Sequence, residues 1–196
     1  MSDYLVLSAV SAALRQILWQ EFQGDPVISA IVPSEAAIVF SNPTETAQDS
    51  ANRLSLWLYE VSENEFVKNQ PFQREGNVDH RSPPLPLNLS YLVTPFGPSG
   101  DADHLLLGKT MQVLYDNAIT LLRDPVADVF EELRIVLARL TLDELAAVWE
   151  ALREPYRLSV AYQVRIARID SLRTTQAVRV VDRTADFVSP VEGAAA

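Results

Sequence analysis

The chain has no cysteine. That excludes a disulfide framework, thiolate catalysis and cysteine-ligated zinc, and it suits assembly in a reducing cytoplasm. Also missing is any apolar run near the ~18 residues of a membrane-crossing helix. The opening Met1-Ser2-Asp3 has no positive flank of the kind a secretory leader needs, so neither export by the usual route nor direct membrane insertion is expected. Positive charge is scarce: 16 Lys and Arg stand against 26 Asp and Glu, a net charge of -10. A polyanion would be repelled unless the basic residues gather on one face, so nucleic acid is not an expected partner.

What the chain does have is apolar content, 48% of 196 residues, enough for a proper core in a single domain. The periodicities predict an α+β fold, a mixed or antiparallel sheet of four to six strands packed by two or three helices. Residues 4–22 place Val6, Val10, Ala13 and Ile17 on one helical face, with Ser8, Ser11 and Arg15 on the other. A short strand is predicted over 36–40, followed by a polar loop to residue 52. Alternation in "RLSLWLYEV" (53–61) sets Leu54, Leu56 and Leu58 against Trp57 and Tyr59. Residues 62–84 show no sustained period and read as a long excursion.

In "LPLNLSYLV" (85–93) alternation resumes, and Pro86, which cannot donate to a ladder, places this strand at a sheet edge or margin. From Asp103 the period is helical, with Asp101 or Asp103 as the expected cap of a helix starting at His104. Residues 124–139 fit a helical turn entering a strand. Thr141 and Glu144 form a capping box before the stripe Leu145, Val148, Trp149 and Leu152. After Pro155, "YRLSVAYQVRIARI" (156–169) is the longest alternating run, with Tyr156, Leu158, Val160 and Tyr162 inward and Arg157, Ser159 and Arg165 outward. We expect a domain over 1–171, then a C-terminal strand or arm containing "AVRVV" (177–181) and a flexible tail to 196.

No catalytic motif is complete. Gly108-Lys109-Thr110 resembles the end of a phosphate-binding loop, but position 103, where that loop needs glycine, is Asp. The triplet reads better as a helical glycine allowing close packing beside an exposed lysine. Gly97-Pro98-Ser99-Gly100-Asp101 falls one glycine short of a hydrolase elbow. Asp101, Asp103 and His104 offer ligands, yet the only other histidine is His80, so no metal site is expected. The pairs Glu131-Glu132 and Asp143-Glu144 lie at element ends as solvated carboxylates. No cofactor is expected.

Taken together, "LPLNLSYLVTPFG", "DHLLLGKTMQVLYDN", "LTLDELAAVWEAL" and "PYRLSVAYQVRIARIDS" closely resemble the cap, or tail-terminator, proteins of phage-tail-like contractile injection systems of the antifeeding-prophage and Photorhabdus virulence cassette type. The pattern residues are Tyr91, Thr94, Pro95, Gly97, Asp103, His104, Gly108, Pro155 and Tyr156, expected to be structural. The resemblance implies a tail-terminator-like fold and a non-enzymatic role. It implies a homo-hexameric ring that binds the last layers of sheath protein and inner tube protein and ends their polymerisation. The particle would assemble in the cytoplasm and be released or docked on a membrane. Interface candidates are the strand bearing Pro86, Val178 and Val180 in the C-terminal run, and a basic stripe of Arg157, Arg165 and Arg168, the last of opposite parity. Two alternatives remain: a small-molecule-binding or enzymatic α+β domain with 62–84 as a lid, and a tail-completion protein of a true contractile phage.

Overall fold

The first helix shows how sequence becomes architecture. In the computed structural model, which describes residues 4–67, 73–75, 79–81, 83–123, 130–169 and 174–176, α1 runs Val6–Gln23 and buries Val6, Val10, Ser11, Leu14, Leu18 and Phe22. The buried face is therefore rotated from the expected one. Ala13 and Ile17 are only partly buried, while Ser11 faces the core. Its hydroxyl donates to Leu7 O at 3.0 Å and lies 2.8 Å from the Tyr91 hydroxyl. Two polar groups are thus satisfied against each other inside the core, at little net cost.

Asp25 ends the run and opens a short helix the periodicity does not show, α2 (Pro26–Ile31), by accepting from the Val27 and Ile28 amides. The strand expected over 36–40 shrinks to β1 (Ile38–Val39), and the polar loop after it holds a one-turn helix, α3 (Pro43–Thr46), capped by Asn42. Next comes β2 (Leu54–Glu63). Inside the expected excursion, the short strands β3 (Gln73–Glu75) and β4 (Asp79–Arg81) form a separate three-stranded sheet with β9 (Thr174–Gln176).

The main sheet also contains β5 (Leu85–Pro95), β6 (Ile119–Arg123), β7 (Phe130–Leu137) and β8 (Val160–Ile169), in the order β1-β2-β5-β8-β7-β6. All neighbours are antiparallel except β1 and β2, so the sheet is mixed, with six strands. The Pro86-bearing strand is not an edge: β5 lies between β2 and β8. Pro86 is accommodated near the strand's start, beside a register shift at Leu87/Asn88, where a missing donor interrupts the ladder least. β6 was not legible, because Ala118 and Ile119 continue the apolar spacing of the preceding helix. Of the segment 124–139, the strand half is β7, and the expected helical turn lies outside the described residues.

That helix, α4, runs Gly100–Asp116 and is capped by Ser99, whose side chain accepts from Ala102 N–H. It starts before His104, and neither Asp101 nor Asp103 is its cap. α1, α2 and α4 cover one face of the sheet, where Leu54, Leu56, Leu89, Val93, Ile135 and Val164 form the core. Burying a side chain such as Leu18 or Phe22 there contributes roughly 1.5–3 kcal/mol. α5 (Leu142–Leu152) carries the expected capping box, with Thr141 and Glu144 bonded reciprocally. Its Trp149 is buried and donates from the indole to Ser159 Oγ at 3.1 Å, just before β8. On the same side of the sheet as Ser159, Leu92 and Ala161 are buried opposite each other across β5 and β8. No helix among the described residues is long and apolar enough to cross a membrane.

Candidate interaction surfaces

Two regions gather the residues singled out in the sequence. The first is the corner where β5 meets α4. Asp103 reaches backwards: its Oδ1 accepts from Gly97 N–H at 2.6 Å, and its Oδ2 accepts from Arg157 Nη2 at 2.9 Å. The Arg157 guanidinium lies 4.5 Å from the Phe96 ring centroid, a cation–π stack. Gly97 is required by space. A Cβ there would come within 2.9 Å of Ala102 Cβ and 3.1 Å of Asp103 N.

This arrangement corrects the reading of Arg157. β8 begins only at Val160, so Arg157 precedes the strand and does not share a face with Arg165. Tyr156 and Leu158, expected inward, are exposed, whereas Ser159, expected outward, is buried. Tyr156 instead packs edge-on against Trp149, with ring centroids 6.2 Å apart. Between α3, Phe96 and this turn lies a cavity of about 310 Å³, lined by Pro43, Phe96, Trp149, Pro155, Tyr156 and others. Thr44 Oγ1 and Arg157 Nε on its wall have no hydrogen-bond partner. Deeper in β5, Thr94 Oγ1 is also buried without one. The cavity sets no nucleophile against a base. Its charged groups are Glu154 and an arginine already held by Asp103.

The second region is the sheet face opposite α1 and α4. Arg165 lies directly across from Arg134 in the β7–β8 register. On β5 the partner of Arg165 is Asn88 and that of Arg168 is Pro86, two residues away, because Ile166 is an extra residue in β8. The bulge reverses the parity after it and puts Arg168 on the same face as Arg165. Arg134 belongs to this group and was missed, since nothing in the sequence reveals cross-strand register. Val178 and Val180 lie outside the described residues.

The remaining pattern residues are dispersed. Tyr91 is in the core, where burial pushes its hydroxyl up to about 12, with the Ser11 hydrogen bond opposing. Pro95 ends β5, and Pro155 lines the cavity. His104 is exposed in the second turn of α4. Gly108 also faces outward: a Cβ there would meet nothing within 4 Å, so it permits no close packing within the chain. Lys109 beside it is not free but lies 3.8 Å from Asp25. Among the described residues no cluster of three His, Asp or Glu converges as a metal site.

The described residues build a mixed six-stranded sheet packed by three long helices, α1, α4 and α5. Residues 9–183 match the model of the Pvc16 N-terminal domain, and the chain belongs to that family. Its fold is similar to that of the PVC sheath/tube terminator of an extracellular contractile injection system, solved in the extended state. The two share 18% identity at a TM-score of 0.62, over 94% of this chain and 64% of that one. The tube-terminating cap of the anti-feeding prophage matches at 16% identity and a TM-score of 0.47, over 68% and 48% of the two chains. The chain therefore spans less than two thirds of the length of either structure. No curated protein matches it.

Proposed function

We propose that this chain is a structural cap, not an enzyme, in a contractile injection system. Six copies would form a ring on the last layers of sheath and inner tube, end polymerisation there and stabilise that end of the particle. The observation that carries this reading is the family match across residues 9–183, supported by the fold shared with a sheath/tube terminator.

The physical logic is that of an open polymer. Tube and sheath grow through head-to-tail interfaces that do not close, so every added layer presents a surface for the next. A cap matches that surface on one side and offers no copy of it on the other. Sheet edges suit such a task, because an edge strand can pair with a segment of another chain. With β5 in the interior, the edges of the main sheet are β1, two residues long, and β6, five residues long with Ile119 and Leu121 exposed. β6 takes over the role first given to the Pro86 strand.

Within this reading residues 1–171 are the terminator domain and 172–196 an arm. Assembly takes place in the cytoplasm, on a particle that is later released or docked. Negative-stain microscopy of the purified protein, alone and mixed with the sheath and tube proteins of a contractile injection system, tests the proposal. Six-fold rings that co-purify with both proteins are expected. A persistent monomer that binds neither would overturn it.

A further inference from the structure

The sheet face opposite α1 and α4 is unevenly covered. Trp149 of α5 meets Ser159 there, and Leu92 and Ala161 are buried, but Ile119 and Leu121 of β6, Arg134 and Val136 of β7 and Arg165 of β8 are exposed. Ile119 and Leu121 are each 64% exposed there, and Val136 is exposed beside them. An apolar sheet face of this kind is normally packed against another layer. The same face carries Arg134 directly opposite Arg165, and like charges facing each other across a ladder are destabilising. Their partners are few. Arg134 pairs with Glu132 at 3.0 Å, Arg165 donates to the neutral Gln163 at 2.7 Å, and Arg168 Nε is buried with no hydrogen-bond partner. In a chain of net charge -10, this arginine cluster, exposed at Arg134 and Arg165, is complementary to an acidic, aliphatic surface.

The chain itself supplies that chemistry. α5, "LDELAAVWEAL", holds three acids and no base. Leu145, Val148, Trp149 and Leu152 are buried or half-buried, which leaves Asp143, Ala146, Ala147 and Glu150 exposed and Leu142 67% exposed. The small alanines allow close approach of the helix to a sheet. Asp143 and Glu150 stand two turns apart, ~10 Å along the axis. Arg134 and Arg168, one strand and two ladder positions apart, are separated by ~8 Å at their Cα atoms.

Resting on the ring reading above, we infer that α5 of one copy packs on the β6–β7–β8 face of the next. Asp143 and Glu150 meet the arginine cluster, and Leu142 lies on Ile119 and Leu121. The two surfaces differ, so the contact is head-to-tail and can repeat around a ring.

A charge swap tests this. Arg165→Glu sets a carboxylate opposite Arg134, so the subunit melts at an unchanged or higher temperature while the ring fraction, read by light scattering and microscopy, falls at least tenfold. R134E/R165E and D143R/E150R each lose rings, and the chain carrying all four substitutions regains them. Circular dichroism verifies that every variant is folded, and Arg165→Gln replaces any that is not. If the wild-type protein forms rings only on particles, capped ends are counted instead. Loss with the arginine variants but no rescue by the swap would assign the face to sheath or tube and overturn the contact. Rings in every variant would overturn it while leaving the ring reading intact. Absence of rings even from particles carrying the wild-type chain would remove both.

Discussion

Asp103 and Arg157, 54 residues apart in the chain, meet at 2.9 Å. Together they tie the start of α4 to the turn before β8, with the Phe96 ring under the guanidinium. The Asp103 side chain is only 15% exposed while that of Arg157 is 39% exposed, so the two partners are not equivalent. Removing the carboxylate strands both the Gly97 amide and the arginine. Removing the arginine leaves a carboxylate that still accepts from Gly97.

We therefore expect Asp103→Ala to destabilise by about 2–3 kcal/mol and Arg157→Ala by about 1–2. Urea unfolding of the two single mutants and the double mutant measures the coupling. Strict additivity would show that the pair is not energetically linked.

The Tyr91 pair supplies a pH prediction. Burial raises the phenol from its ordinary 10.0 to about 12, partly offset by the Ser11 bond. In the Ser11–Tyr91 contact, 2.8 Å long, either hydroxyl can be the donor. A raised folded-state value means that the native protein holds its proton more tightly than the unfolded chain. The associated stability is complete below pH 10 and is lost as pH rises from about 10 to about 12. That amounts to at most ~3 kcal/mol. Tyr59 and Tyr162 are also raised, mainly by burial, and act in the same direction. Tyr91→Phe should cost ~1 kcal/mol at neutral pH and flatten this alkaline limb in melts taken between pH 8 and 12. An unchanged limb would contradict the assignment.

Gly97 and Gly108 should behave oppositely. Gly97→Ala forces a Cβ against Ala102 and Asp103 and is expected to lower stability by at least ~1–3 kcal/mol. Gly108→Ala, inside α4 with open space beside it, should raise stability by about 0.5–1 kcal/mol. Thermal melts of both variants decide this, and destabilisation by Gly108→Ala would count against the helix geometry described.

The capping box gives a local check. Thr141→Ala removes the side-chain acceptor for Glu144 N–H and should cost about 1 kcal/mol. Hydrogen exchange should report faster opening of α5, with Trp149 fluorescence following if the helix end frays.

How legible this molecule was in its sequence depended on range. The alternation of Leu87, Leu89, Tyr91 and Val93 reads out as β5, and Thr141 with Glu144 reads out as a helix start, because both signals are local. The Ser11 face of α1 was misjudged because serine is usually solvent-facing, and the Tyr91 hydroxyl that Ser11 meets in the core lies 80 residues away. Two bulges defeated strict period-two reading. One lies between Leu58 and Glu60 and the other at Ile166, and each exchanges the faces of every residue beyond it. The arginine cluster depends on the second. β6 was hidden because its residues continue the apolar spacing of α4. The Asp103–Arg157 contact needs the full topology before the two side chains become neighbours.

The account rests on termination, and the most direct measurement is the length distribution of sheath and tube, by electron microscopy, in cells lacking this gene. Broadly distributed, open-ended filaments, restored to one length when the wild-type gene is returned, are predicted. Uniform filaments with finished ends in the deletion strain would contradict the account.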